Sequence, residues 1–111
     1  MLRYGEICVS SITLAELRCG VVKSQQRSKN KDRLERFLAR FEDRDFDQRA
    51  AAAYGEVRAQ LEAQGTPIGP LDTLLAAHAI SLGATMVTDN IREFSRVTGL
   101  VVENWVGAHL A

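Results

Sequence analysis

Residues 65–94 read GTPIGPLDTLLAAHAISLGATMVTDNIREF, and this stretch passes from a stiff loop through a helix and a strand to an acidic loop. Two prolines fix the loop backbone. The apolar pattern then predicts a helix over Leu71–Leu82, which Gly83 ends. A strand is predicted over Ala84–Thr88, and a helical turn within Asn90–Val97. Strands that alternate with helices predict an α/β fold with a mostly parallel sheet.

The rest of the chain continues this alternation. The first long helix is expected to begin with a capping box, Thr13-x-x-Glu16. We predict one domain, residues 1–111, since a chain of this length forms a single modest core. The other predicted elements are a strand over Glu6–Ser10, a helix from Thr13 to about Val22, a polar loop over Ser24–Asn30, a helix over Asp32–Phe41, a brief edge strand within Glu42–Asp47, a long helix from an Asp47 N-cap to about Gln64, and a strand over Leu100–Glu103.

The composition is that of an ordinary globular protein, with 46% hydrophobic and 25% charged residues. No apolar run approaches the roughly 20 residues that cross a bilayer. The first residues also lack the pattern of a secretory signal, so we expect cytoplasmic residence and no membrane partner. Cys8 and Cys19 form no CxxC pair, and we expect both to be reduced and buried.

Charge is unevenly distributed in a chain whose formal net charge is zero. The segment Lys23–Arg40 carries seven bases and two acids, a net charge of +5. Such a face could attract a phosphate backbone. The alternative is a solvated helix face in which Asp32 and Glu35 are among the ion-pair partners.

Three carboxylates, Glu16, Asp72 and Glu93, each lie where a strand or loop is predicted to turn into a helix. Ligands in open α/β sheets bind beyond the carboxyl ends of the strands. Acids gathered there suit Mg²⁺ or Mn²⁺, which prefer oxygen ligands. Taken singly, each acid also fits a helix-start residue that interacts with the helix dipole. A small α/β domain whose acids are all caps is therefore an alternative.

The loop after the predicted strand 84–88 adds polar groups to this set. Thr88 and Asn90 offer neutral oxygen atoms that could orient a water molecule or a ligand. Asp89 is an alternative to Glu93 as the acid of this loop.

Three segments in order resemble the PIN-domain toxins of the VapC group. They are Ile7–Leu17 (ICVSSITLAEL), Pro67–Asp72 (PIGPLD) and Val87–Phe94 (VTDNIREF). Each segment alone is a weak signal, but their order and spacing match over about Gly5 to Trp105. The resemblance implies a three-layer α/β/α fold.

The resemblance also implies an activity and its partners. It implies a Mg²⁺-dependent endoribonuclease that cleaves structured RNA such as tRNA, forms a homodimer and is silenced by a small antitoxin protein. By position, the implied metal ligands are Glu16, Asp72 and Glu93. The implied catalytic set is Glu16, Asp72, Thr88, Asn90 and Glu93.

The chain departs from the family pattern at its start. Family members begin with an apolar strand that ends in an Asp, followed by a helix, and this Asp shares the metal ion with the residue matching Asp72. Residues 1–111 hold no match to that segment, so we expect this chain alone to show little or no Mg²⁺-dependent RNA cleavage. If the start is misassigned or the chain has been cut short, the full-length protein would still be an enzyme. The alternative is an inactive remnant that binds an antitoxin or forms dimers.

Overall fold

A computed structural model describes residues 8–104 of the chain. The chain divides into two compact units, residues 1–46 and 47–111, and each is described by itself. No helix in the described part is long and apolar enough to cross a membrane. The elements in chain order are β1 (Cys8–Ser10), α1 (Ser11–Lys23), α2 (Arg27–Leu38), β2 (Glu42–Arg44), α3 (Gln48–Ala63), α4 (Pro70–Leu82), β3 (Met86–Val87), α5 (Ile91–Phe94) and β4 (Val102–Glu103).

Each unit contains one pair of parallel strands among the described residues. In the first unit β1 pairs with β2, so that Val9 lies opposite Asp43. In the second unit β3 pairs with β4, so that Met86 lies opposite Val102. Parallel pairing needs a crossover, and helices supply it in both units. The predicted α/β class with parallel strands is confirmed, including the brief strand within Glu42–Asp47.

The first unit corrects two predicted helix starts. Helix α1 begins at Ser11, because the Ser10 hydroxyl accepts a hydrogen bond from the Ile12 N–H at 3.1 Å. The predicted capping box Thr13-x-x-Glu16 is therefore wrong, since both residues lie inside the helix. Helix α2 begins at Arg27, and only residues 24–26 of the predicted loop remain outside helices.

Burial in the first unit is also lower than predicted. Of the apolar stripe on α2, Leu34 and Leu38 are buried but Phe37 is exposed. Cys8 is half-buried and Cys19 is exposed, and both are free thiols. The expectation of two buried cysteines is wrong for Cys19, because α1 buries none of its residues.

The second unit follows the predicted boundaries closely. The Asp47 carboxylate caps α3 by accepting a hydrogen bond from the Ala50 N–H at 3.0 Å. This bond holds the pKa of the Asp47 carboxyl below its usual value. Helix α4 has a proline in its first turn and ends at Gly83, whose φ of +64° favours glycine.

The core of the second unit brings three helices onto one apolar cluster. Helices α3, α4 and α5 with the turn after it all contribute to this cluster, so their packing fixes the loops at their ends. Its buried members are Val57, Leu61, Ala76, Ala77, Phe94 and Val97.

Candidate metal centre

Asp72 is positioned at the start of α4 by the loop before it. Pro70 opens the helix, and the Thr73 N–H and hydroxyl both donate to the Gly69 carbonyl oxygen at 2.9 Å. Thr73 is buried, and Ala76 and Ala77 anchor the next turn in the core. The half-buried Asp72 side chain therefore extends from a fixed first turn.

Glu93 is positioned by the short helix α5. Phe94, its neighbour, is 3% exposed and belongs to the core cluster of the second unit. This anchor fixes the backbone on which Glu93 stands. The Glu93 carboxylate accepts a hydrogen bond from the Asn90 side-chain amide, with 2.9 Å between Nδ2 and Oε2.

The structure brings Asp72 and Glu93 into contact. Burial raises the pKa of Asp72, and a side-chain hydrogen bond and like charge from Glu93 raise it further. Two carboxyl groups in contact are unfavourable when both are ionised, and they either share a proton or bind a cation. The observed pair thus favours a site where a cation would replace the shared proton.

Thr88 and Asn90 lie in the loop between β3 and α5 and are linked to Glu93 by hydrogen bonds. The Asn90 N–H donates to the Thr88 hydroxyl at 3.0 Å, and the Thr88 N–H donates to the Glu103 carbonyl at 3.1 Å. The loop is therefore tied to β4, and its Asn90 amide is tied to Glu93. Asp89 lies between Thr88 and Asn90. Its side chain is exposed and has no hydrogen-bond or ion-pair partner among residues 8–104. This geometry favours Glu93 over Asp89 as the acid of the loop.

Glu16 lies in the other unit. It is on α1 and its side chain is exposed. Within either unit, the described residues form no group of three or more His, Cys, Asp or Glu side chains that could hold a metal ion. Asp72 and Glu93 contact each other in the structure. A role for Glu16 as a metal ligand stays a prediction.

Asp72 and Glu93 lie in the first turns of α4 and α5, as the helix-start interpretation predicts, whereas Glu16 lies beyond the first turn of α1. Neither Glu16, Asp72 nor Glu93 accepts a hydrogen bond from a backbone N–H there, whereas Ser10 and Asp47 do. The two acids of the second unit have side-chain partners instead, since Asp72 contacts Glu93 and Glu93 accepts from Asn90.

A clamp that the sequence did not reveal joins the two loops of this cluster. The Gln60 side chain on α3 donates to the Arg96 carbonyl oxygen and accepts from the Thr98 N–H, both at 3.1 Å. The Arg96 guanidinium donates to the Pro67 carbonyl oxygen at 3.1 Å. We name Gln60 and Arg96 the loop clamp. It ties the segment after Glu93 to the segment before Asp72, and no residue pattern in the sequence marks this pairing.

The chemistry of the donor set fits a hard divalent cation. Mg²⁺ commonly binds through one or two carboxylates and keeps several waters or substrate phosphates. Asp72 and Glu93 supply two carboxylates, and the neighbouring Asn90 and Thr88 supply neutral oxygen atoms. All these atoms are oxygen donors, which excludes a thiolate or imidazole site built from the same residues.

Comparison with known proteins identifies the family. Residues 1–100 match the PIN domain. The chain is 48% identical over 105 residues to "Ribonuclease VapC2" of Rickettsia felis, which covers 95% of this chain and 78% of that protein. It is 46% identical over 104 residues to "tRNA(fMet)-specific endonuclease VapC" of Shigella flexneri, which covers 94% and 79%.

Solved structures agree with the sequence matches. The structure of VapBC2 from Rickettsia felis bound to a promoter DNA fragment matches with a TM-score of 0.86 at 48% identity, over 89% of this chain and 74% of that one. VapBC-1 from nontypeable Haemophilus influenzae matches with a TM-score of 0.89 at 33% identity, over 96% and 79%. The predicted PIN-like fold is confirmed, and the chain belongs to the PIN-domain family, in the group of the VapC ribonucleases.

Proposed function

We propose that this chain is a divalent-metal-dependent endoribonuclease, the toxin of a toxin–antitoxin pair, which cleaves structured RNA such as tRNA. The observation that carries the proposal is the Asp72–Glu93 contact in a chain of this family. Relatives named as ribonucleases and endonucleases favour an enzyme over an inactive remnant. PIN-domain nucleases generally use divalent metal ions, and we infer Mg²⁺, with Mn²⁺ as a substitute.

The residues have distinct roles in this proposal. Asp72 and Glu93 would hold the ion, and the exposed Glu16 would contribute from α1. When bound, the ion supplies activation of a water molecule and neutralises charge that develops on the phosphoryl group. Asn90 fixes the Glu93 carboxylate, and Thr88 fixes the backbone of Asn90. A tRNA substrate would place the reaction in the cytoplasm.

A protein partner follows from the same family. Structures of relatives are named as VapBC toxin–antitoxin systems, and we infer that a small antitoxin binds this chain. Helix α1 supports a partner surface, because it buries no residue and leaves Leu17 38% and Val22 53% exposed. We also infer that the chain forms a homodimer, as the family resemblance implies.

Cleavage of tRNA by the purified, antitoxin-free full-length protein tests the function. We expect Mg²⁺-dependent cleavage that a chelator stops. Asp72→Asn and Glu93→Gln should each lower the rate at least about 100-fold, because each removes a proposed ligand. Asp89→Asn is the matched control and should stay within about threefold, since Asp89 lies in the same loop without a described partner.

The same assay separates the alternatives. Equal loss in Asp89→Asn and Glu93→Gln would contradict the assignment of Glu93. Antitoxin binding without cleavage at any Mg²⁺ concentration would refute the enzyme and support an antitoxin-binding module.

A further inference from the structure

The outward face of α2 carries a regular row of positive charge. Three bases recur there at positions i, i+4 and i+7, and a fourth lies in the turn that continues the helix. All four side chains are exposed, and the helical spacing places the three on α2 opposite the buried Leu34 and Leu38. The α2 cation row consists of Lys29, Arg33, Arg36 and Arg40.

The row lacks the counter-charges that a merely solvated face would have. Glu35 is paired with Arg18 of α1 at 2.6 Å, and Arg18 lies outside the basic segment. No carboxylate among residues 8–104 lies within 4 Å of a cation of the row, although Asp32 is on the same helix. Neighbours at i+3 and i+4 within the row therefore repel one another, which destabilises an isolated helix.

The geometry of the row suits a chain of phosphates. Successive cations advance by about 4.5 to 6 Å along the axis, at 1.5 Å per residue, and the whole row extends over about 16 Å. Three of the four are arginines, whose planar guanidinium binds phosphate through paired hydrogen bonds. Contacts of this kind add affinity without reading sequence.

We propose that the α2 cation row is a contact surface for the RNA phosphate backbone, formed by residues other than those of the Asp72–Glu93 site. The proposal rests on the proposed ribonuclease function, because it takes the RNA substrate from it. The row binds and orients the RNA, while its hydrolysis depends on the carboxylates of the second unit.

The test compares two double variants of equal charge change. Arg33→Gln/Arg36→Gln removes the centre of the row. Arg49→Gln/Arg58→Gln removes two exposed arginines of α3 and is the matched control. Both are made in the Asp72→Asn protein so that binding of tRNA is measured without cleavage, and thermal melts establish that each variant folds.

The row variant should bind tRNA at least about tenfold more weakly at moderate salt. The slope of log affinity against log salt concentration should become shallower by about 1.4 to 1.8. This is roughly 0.7 to 0.9 for each of the two lost phosphate contacts. The control should stay within about threefold of the parent. Equal binding by the two double variants would overturn the proposal.

Two further measurements distinguish RNA from the other partners that the row could bind, an antitoxin protein and duplex DNA. Unchanged tRNA binding with weakened antitoxin binding would overturn the proposal in favour of a protein surface. Unchanged tRNA binding with weakened duplex DNA binding would overturn it in favour of DNA. A full-length protein with Asp72 intact that binds tRNA through the row but never cleaves it would refute the proposed function and leave the row assigned.

Discussion

The acidic side chains of Asp72 and Glu93 contact each other, and both residues stand on backbone that is anchored in the core of the second unit. Asp72 stands in the first turn of α4, and Glu93 stands next to the buried Phe94. Because both backbones are anchored in one core, the two carboxyl groups start from fixed backbone positions that lie close together. Burial, together with the hydrogen bond and like charge of Glu93, raises the pKa of Asp72.

The raised pKa of Asp72 predicts that the stability of the metal-free protein depends on pH. The folded pKa of Asp72 lies above its unfolded value, so the folded state binds this proton more tightly. The resulting stabilisation is complete below the unfolded pKa and is lost as pH rises through the folded pKa. NMR titration of the Asp72 carboxyl carbon in chelator should show a pKa above the usual value of about 3.9.

Glu93→Gln should lower the pKa of Asp72, because it removes the like charge and provides an amide donor. Glu62→Gln is the control and should leave it unchanged, since Glu62 pairs with Arg58 instead. An ordinary pKa of Asp72 in the parent protein would contradict the contact.

At the scale of elements, the loop clamp explains how two distant segments become one site. The Gln60 side chain is hydrogen-bonded to the backbone of Arg96 and Thr98, and the Arg96 side chain is hydrogen-bonded to the backbone of Pro67. The segments joined are those that follow Glu93 and precede Asp72. The clamp therefore ties together the segments that carry the two carboxylates, without a hydrogen bond to either carboxylate.

Loss of the clamp should impair cleavage more than stability. We expect Gln60→Ala to lower the cleavage rate about ten- to a hundredfold, since small misplacements of reacting groups have effects of this size. The apparent Mg²⁺ affinity should fall with it, while the melting temperature changes little, because Gln60 is only half-buried. Gln48→Ala, on the same helix, is the control.

A double variant tests whether Gln60 and Arg96 act together. Adding Arg96→Ala to Gln60→Ala should have little further effect, because both residues belong to one network. Fully additive losses, or a large drop in melting temperature with normal cleavage, would show that they act separately or only in folding.

The elements of the second unit were predictable because their signals are local. Asp47, Gly65 and Gly83 mark helix ends through capping bonds and positive φ angles, which a neighbouring sequence can specify. In the first unit, Ser10 and Thr13 both fit an N-cap, and only the observed bond to the Ile12 N–H selects Ser10. Residues 24–30 are polar, so no apolar period marked the early start of α2.

The sequence indicated which residues of the second unit lie together but not the contacts they make, and their roles and that of Glu16 stay predictions. Asp72, Glu93, Asn90 and Thr88 belong to recognisable segments, and the structure places them together. Gln60 and Arg96 could not be found, since the clamp joins side chains to backbone atoms 29 to 38 residues away. Pairings of this kind depend on packing between elements, which single segments do not specify.

At the scale of the whole molecule, a formal net charge of zero hides two surfaces of opposite sign. The α2 cation row concentrates positive charge in the first unit, and the Asp72–Glu93 pair places negative charge in the second. In the two proposals, the cations would contact the RNA backbone and the carboxylates would hold the metal ion. The net charge alone neither excludes nor indicates either role.

The carboxylate pair finally predicts that a divalent ion stabilises the fold. Mg²⁺ at about ten times its dissociation constant should add about 1.4 kcal/mol to the free energy of unfolding, because it binds only the folded state. In a domain this small, that corresponds to several degrees in melting temperature. Mn²⁺ should act similarly. The shift should vanish in Asp72→Asn/Glu93→Gln, and an undiminished shift there would place the ion elsewhere in the protein.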